Sequence, residues 1–112
     1  MKLEGENKLL RIFIGESDTL SGKSLFEAIV LKARELNLAG ATVTRGVMGF
    51  GATSRIHSSK VLQLSEDLPV IIEIVDTKDK IDTLIPFLDE YIKDGLVTIE
   101  NVEAILYRHN KK

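Results

Sequence analysis

The stretch Leu68-Pro69-Val70-Ile71-Ile72-Glu73-Ile74-Val75 decides the fold. Val and Ile crowd it, as they do in strands, and the proline sits at a first strand position that need not donate to a ladder. Its two alternating faces are both apolar. Ile72 and Ile74 share one face, Ile71 and Val75 the other, and Glu73 interrupts the second. A strand of this kind is covered from both sides.

Upstream, residues 9–14 repeat the pattern: Leu10, Ile12 and Ile14 alternate with Leu9, Arg11 and Phe13. A polar connection from Gly15 to Lys23 leads to a helix. Ser24 and Glu27 have capping-box spacing, and Leu25, Phe26, Ile29, Val30, Ala33 and Leu36 form one apolar stripe. Gly40 is expected to supply a left-handed cap or turn. Residues 41–47 read as a strand that flows into the glycine cluster Gly46, Gly49 and Gly51. A polar stretch follows, then a short extended piece at residues 61–64.

Downstream of Val75, Asp76 and Thr77 offer caps for a second helix with Ile81, Leu84, Ile85, Leu88 and Ile92 on one face. Pro86 inside it predicts a kink or one lost hydrogen bond. Lys93-Asp94-Gly95 turns the chain into a last strand, residues 96–99 and 102–107, interrupted near Glu100-Asn101. The order is β-α-β-β-α-β. It predicts an α+β, ferredoxin-like sandwich: an antiparallel four-stranded sheet with two helices on one face, in a single domain over residues 1–112. Leu9, Phe13, Ile71 and Val75 then lie on the face without helices, so self-association through the sheet is expected.

Composition narrows the classes of function. The 112 residues contain no cysteine, which removes disulfides and thiolate chemistry. Hydrophobic residues make up 44% and charged ones 29%, too apolar for a disordered tail. A net charge of −2 gives no bulk attraction to nucleic acid or an anionic membrane. No apolar run approaches a membrane span, and the first residues lack a signal-peptide core, so a cytoplasmic protein is expected.

Several segments carry candidate chemistry. Gly15 to Ser24 follows a strand, opens a helix and ends in Gly22-Lys23-Ser24, as a phosphate-binding P-loop does. Ser17 stands where that motif needs glycine, which favours a plain loop; a small phosphohydrolase or phosphotransferase using Lys23 and Asp76 is kept as an alternative. Arg45-Gly46-Val47-Met48-Gly49-Phe50-Gly51 suits either an anion held by backbone N–H groups or a bulged hairpin tip. Arg55, His57 and Lys60 add positive charge just beyond it. His57 and His109 have no companion at ligand spacing, and Ser54, Ser58 and Ser59 suit modification better than catalysis. Glu16, Asp18 and Glu73 would be the oxygen ligands if the chain were a trimeric metal- or small-ligand-binding module.

Gly40-Ala41-Thr42-Val43-Thr44, then Gly49-Phe50-Gly51, then Leu68-Pro69 and Ile72-Glu73-Ile74-Val75 resemble the PII signal-transduction proteins. Glu16-Ser17-Asp18 and Arg45-Gly46-Val47-Met48-Gly49-Phe50-Gly51 are most similar to a PII-like branch of bacterial and archaeal proteins. The resemblance covers nearly the whole chain. It implies a non-enzymatic regulator: a homotrimer, sheets facing inward, that binds ADP, AMP or ATP in clefts between subunits. It acts on a target protein through a loop, here Ala52 to Lys60. By position, Thr42, Arg45, Gly46, Gly49, Phe50 and Gly51 line the cleft, with Glu73 and Val75 near its base. Gly95, Leu96, Val97 and Thr98 stand at the second phosphate-facing loop, and Arg108 is a C-terminal phosphate contact. Ile99-Glu100-Asn101-Val102 replaces that loop's further glycines and lysine, which favours a mono- or diphosphate. The short loop carries no tyrosine for the family's usual modification.

Overall fold

The structure, a computed structural model, describes residues 3–51 and 67–109. The loop from Ala52 to Lys60, with its histidine and serines, and the extended piece expected at residues 61–64 lie outside the described residues.

Strand β1 (Gly5–Gly15) is followed by a two-strand ribbon, β2 (Thr19–Leu20) and β3 (Lys23–Ser24), and by helix α1 (Leu25–Glu35). Then come β4 (Thr42–Arg45), β5 (Pro69–Asp76), α2 (Lys78–Tyr91) and β6 (Leu96–Ala104). The main sheet has the order β4-β5-β1-β6, antiparallel throughout. With both helices on one face this is the ferredoxin-like α+β arrangement, and the small ribbon between β1 and α1 is an addition to it.

Alternation along β1 and β5 builds the core. Leu10, Ile12 and Ile14 pair across the strands with Ile74, Ile72 and Val70, and all six are buried. Leu25, Ile29 and Ala33 of α1 and Ile81, Leu84 and Leu88 of α2 close over them. Each fully buried aliphatic side chain contributes roughly 1.5–3 kcal/mol. The opposite face carries Leu9, Phe13, Ile71 and Val75, all only partly covered within one chain. No helix among the described residues is long and apolar enough to cross a membrane.

Three local expectations are corrected. Ser24 makes no side-chain cap, because it is paired with Thr19 in the ribbon while the Leu25 N–H donates to the Asp18 carbonyl at 2.8 Å. The left-handed residue after α1 is Asn37, with φ 64°, and Gly40 is not left-handed. Around Asn37, the Leu38 N–H reaches the Ala33 carbonyl and the Asn37 N–H the Arg34 carbonyl, both at 3.0 Å, which is the Schellman pattern. Strand β6 runs unbroken through Glu100 and Asn101 and ends at Ala104, short of Tyr107. At Pro86 the expectation of a lost hydrogen bond stands: helix α2 continues through it, and the ring removes one N–H from the helical ladder.

Candidate functional site

Gly15, Gly46, Gly49, Gly51 and Gly95 gather at the end of the sheet where β1 stops and β5 and β6 begin. Gly15 faces Pro69 in the register, and Phe13 faces Leu96. Past β4, the Gly46 N–H donates to the Pro69 carbonyl at 2.7 Å, and a Cβ on Gly46 would lie 2.7 Å from Pro69 Cγ. Gly49 approaches the same ring, with a Cβ distance of 3.0 Å. Glycine is needed here for close approach to Pro69. The Gly46 N–H, spent on that carbonyl, is not aimed at an anion.

Between these elements lies a pocket of about 490 Å³. Gly49, Phe50 and Gly51 form one wall; Asp94, Gly95 and Leu96 form another; Phe13, Gly15 and Pro69 make the floor. Gly95 is packed so tightly that a Cβ would stand 2.6 Å from the Phe13 carbonyl oxygen. Two carboxylates at the rim are held by backbone: Asp18 Oδ2 accepts the Gly15 N–H at 3.0 Å, and Asp67 Oδ1 accepts the Ser17 N–H at 3.2 Å. No Lys, Arg or His is found among the described lining residues.

Of the residues the sequence singled out, Gly49, Phe50, Gly51, Gly95 and Leu96 are brought together here. Arg45 is on the neighbouring end of β4, paired with Glu16. Thr42, Glu73 and Thr98 lie on the open sheet face, where the register aligns them in one row with Arg11. Val75 shares that face, opposite Leu9. Val97 does not face the pocket, since it packs against the hydrophobic core. Arg108 follows the far end of β6, so within one chain it is remote from Gly95.

Sequence reasoning missed the roles of Asp67, Asp94 and Arg11. Arg11 donates from Nε to Glu73 Oε2 at 2.7 Å and from Nη1 to Glu100 Oε1 at 2.6 Å. The Glu73 hydrogen bond, ahead of the neighbouring carboxylate charges, raises the guanidinium above its ordinary pKa. Both strand partners are visible only once the register is known.

The alternatives fare differently. Lys23 sits on the ribbon beyond Gly15, whereas Asp76 faces Lys8 at the other end of β1, seven residues and roughly 23 Å along the strand. Asp76 is fully buried, with Oδ2 accepting the Ala39 N–H and Oδ1 the Thr77 N–H. It cannot present a metal ion or water to a phosphate near Lys23. Among the described residues no group of three His, Asp or Glu is placed to hold a metal. Glu16 and Glu73 are already taken by arginines.

Residues 7–104 match the family model DUF190, described as "Uncharacterized ACR, COG1993". The chain belongs to this family, and its fold is that of the PII-like proteins. A UPF0166 protein of Aquifex aeolicus (strain VF5) is 43% identical over 103 residues, covering 89% of this chain and 94% of its own. The UPF0166 protein MJ1524 of Methanocaldococcus jannaschii is 36% identical over 93 residues, covering 82% and 85%. Among solved structures, TTHA0516 of Thermus thermophilus, named for PII-like signalling, superposes with a TM-score of 0.62 at 19% identity over 94% of both chains. CPII of Thiomonas intermedia K12, a nitrogen regulatory PII-like protein bound to ADP, AMP and bicarbonate, gives 0.61 at 11% identity over 93% of this chain and 99% of its own. At these identities the structural matches speak for the fold.

Proposed function

We propose that this DUF190 protein is a non-enzymatic, cytoplasmic PII-like regulator that binds an adenine nucleotide at the glycine-lined pocket. One observation carries the reading: Gly49-Phe50-Gly51 and Gly95-Leu96, far apart in sequence, wall a single pocket of about 490 Å³. That volume lies within the roughly 300–1,000 Å³ usual for small-molecule sites. Glycine walls let a ligand approach the backbone, and Phe50, well exposed beside them, offers a ring for a base to stack on. CPII, with the same fold, was solved with ADP and AMP.

The rim favours few phosphates. Asp18 and Asp67 line it, and Arg45 beside it is committed to Glu16, so each added phosphate charge meets repulsion. AMP or ADP is therefore the effector proposed, with ATP weaker. Three chains would pack their open sheet faces inward as a homotrimer, and Thr42, Glu73, Val75 and Thr98 would complete the site from the covered side. The protein would act on its target protein through the loop from Ala52 to Lys60.

Isothermal titration of the verified oligomer with AMP, ADP and ATP tests this. Saturable heat with AMP or ADP, and at least about tenfold weaker binding of ATP, corresponding to about 1.4 kcal/mol, is the expected result. Absence of heat with all three nucleotides overturns the proposal. Phe50→Ala should weaken whichever nucleotide binds while leaving the oligomer intact.

A further inference from the structure

The open face of the sheet is not uniformly apolar. Its register lays out transverse rows: Thr44, Ile71, Phe13 and Leu96 in one, Thr42, Glu73, Arg11 and Thr98 in the next. Val75, Leu9 and Glu100 form the row after that. A polar band thus crosses all four strands between apolar neighbours, with Arg11 at its middle, bonded to Glu73 beside it and to Glu100 on the outer strand.

We propose that Arg11 fixes the register and stoichiometry of self-association, the occupant of this face being a second copy of the chain. The inference rests on the self-association in the proposed function, and it adds the residue that makes that contact unique.

The charge pattern selects a like partner. Symmetric packing brings a central group close to its own copy, so a lone arginine would repel itself. Arg11 is bracketed by two carboxylates within its own chain and escapes that repulsion. The cluster has one cation and two anions, and Glu100 is the extra acceptor. It lies on the edge strand with its side chain 56% exposed, positioned to turn toward a neighbouring guanidinium. Each copy therefore presents both a donor and an acceptor. A purely acidic or purely basic partner would leave one of them unmatched.

The polar band contributes selectivity more than strength. Covering an ion pair costs desolvation that its own attraction scarcely repays, so Leu at these positions would associate at least as tightly. What the pair adds is a penalty on every wrong alignment: sliding Phe13, Ile71 or Leu9 over Arg11 strips its water and offers no acceptor in return. A face made only of the apolar rows has no such penalty and accepts several packings.

Sedimentation velocity and native mass spectrometry on the full chain test this with Arg11→Met and with the triple variant Arg11→Met, Glu73→Leu, Glu100→Gln. The wild type should give one species of trimer mass. Arg11→Met leaves Glu73 and Glu100 uncompensated under the interface and should weaken association by at least about a hundredfold. The triple variant, with no charge of the cluster left, should regain association to within about tenfold of wild type, but as a mixture of masses. A triple variant of single, wild-type mass overturns the assignment, as does an Arg11→Met variant that assembles normally. If Arg11→Met fails to fold by circular dichroism, Arg11→Lys takes its place. It keeps the charge without the fork that reaches two carboxylates, so mixed masses are expected and a single wild-type mass overturns the proposal. A wild-type monomer would end both this inference and the self-association it rests on. A trimer that binds no nucleotide would end only the nucleotide reading.

Discussion

Where β5 finishes, Asp76 is fully buried with both carboxylate oxygens on backbone N–H groups; where β5 begins, Asp18 and Asp67 hold backbone at the rim of an open pocket. The Asp76 end is tied shut by further bonds. Lys80 Nζ reaches the Leu36 carbonyl at 3.0 Å, and the Tyr107 hydroxyl donates to the Ala39 carbonyl at 3.1 Å. A concavity of about 560 Å³ exists there too, lined by Lys8, Lys78, Asn101 and Glu103 among others. Its lysines are engaged, Lys8 with Asn101 and Lys78 with Asp82. The pocket at the other end is slightly smaller but is walled by glycine backbone and an exposed aromatic ring. Volume does not separate the two ends. What separates them is whether the lining has been spent on the fold.

The largest effect is expected from breaking the closed end. Asp76→Ala removes a fully buried side chain and leaves the part-buried Ala39 and Thr77 N–H groups without their acceptors, and should cost about 3 kcal/mol in urea unfolding. Asp76→Asn, which keeps an acceptor oxygen, should cost clearly less. Nucleotide binding by the folded fraction of either variant should be unchanged. Altered affinity there would mean that the two ends are coupled.

Next comes the open end. A Cβ on Gly95 would stand 2.6 Å from the Phe13 carbonyl oxygen, 3.0 Å from Ile14 Cγ2 and 3.1 Å from Ile92 Cγ2. Gly95→Ala should therefore cost about 1–3 kcal/mol by overpacking. It should also distort the pocket wall, so titration heat with AMP or ADP falls while Asp76→Asn leaves it intact. Equal loss of binding in both variants would erase the distinction between the ends.

The sheet was legible because β1 and β5 alternate apolar residues on both faces, and the core-facing set Leu10, Ile12, Ile72 and Ile74 follows directly. What escaped depends on partners distant in sequence. Glu100 and Asn101 read as a break in the last strand, yet Arg11 and Lys8 on β1 accept them into a continuous β6. Ser24 and Glu27 have cap spacing, but pairing with Thr19 takes Ser24 into the ribbon. Gly40 looked like the helix terminator, while Asn37, which tolerates left-handed backbone, occupies that place three residues earlier. For the site, the glycine segments could be named from sequence. The roles of Asp67 and Asp94 could not, because only the meeting of strand ends puts those carboxylates in one lining with Gly49. The sequence also offered no sign that Glu73 would be held by Arg11.

The smallest effect, and the sharpest control on the closed end, concerns Lys78. Its ammonium meets Asp82 at 2.8 Å, four residues on, and that hydrogen bond chiefly raises its pKa above the ordinary lysine value. A raised lysine pKa contributes stability that is complete below the unfolded value of about 10.5 and is lost as pH climbs through the folded one. At neutral pH the pair is thus fully formed, but it is exposed and screened. It also has the weaker orientation, lysine preceding the acid, and places a cation in the first turn of α2, against the helix dipole. Lys78→Ala should leave the melting temperature at pH 7 unchanged or slightly higher, with any difference from wild type changing only above about pH 10.5. A clear loss of stability at pH 7 would show that Lys78 is committed to the fold more deeply than its exposure indicates. Added phosphate that stabilised wild type but not Lys78→Ala would show the opposite, that the lysine-lined concavity still has a cation to offer and the two ends differ less than their hydrogen bonds imply.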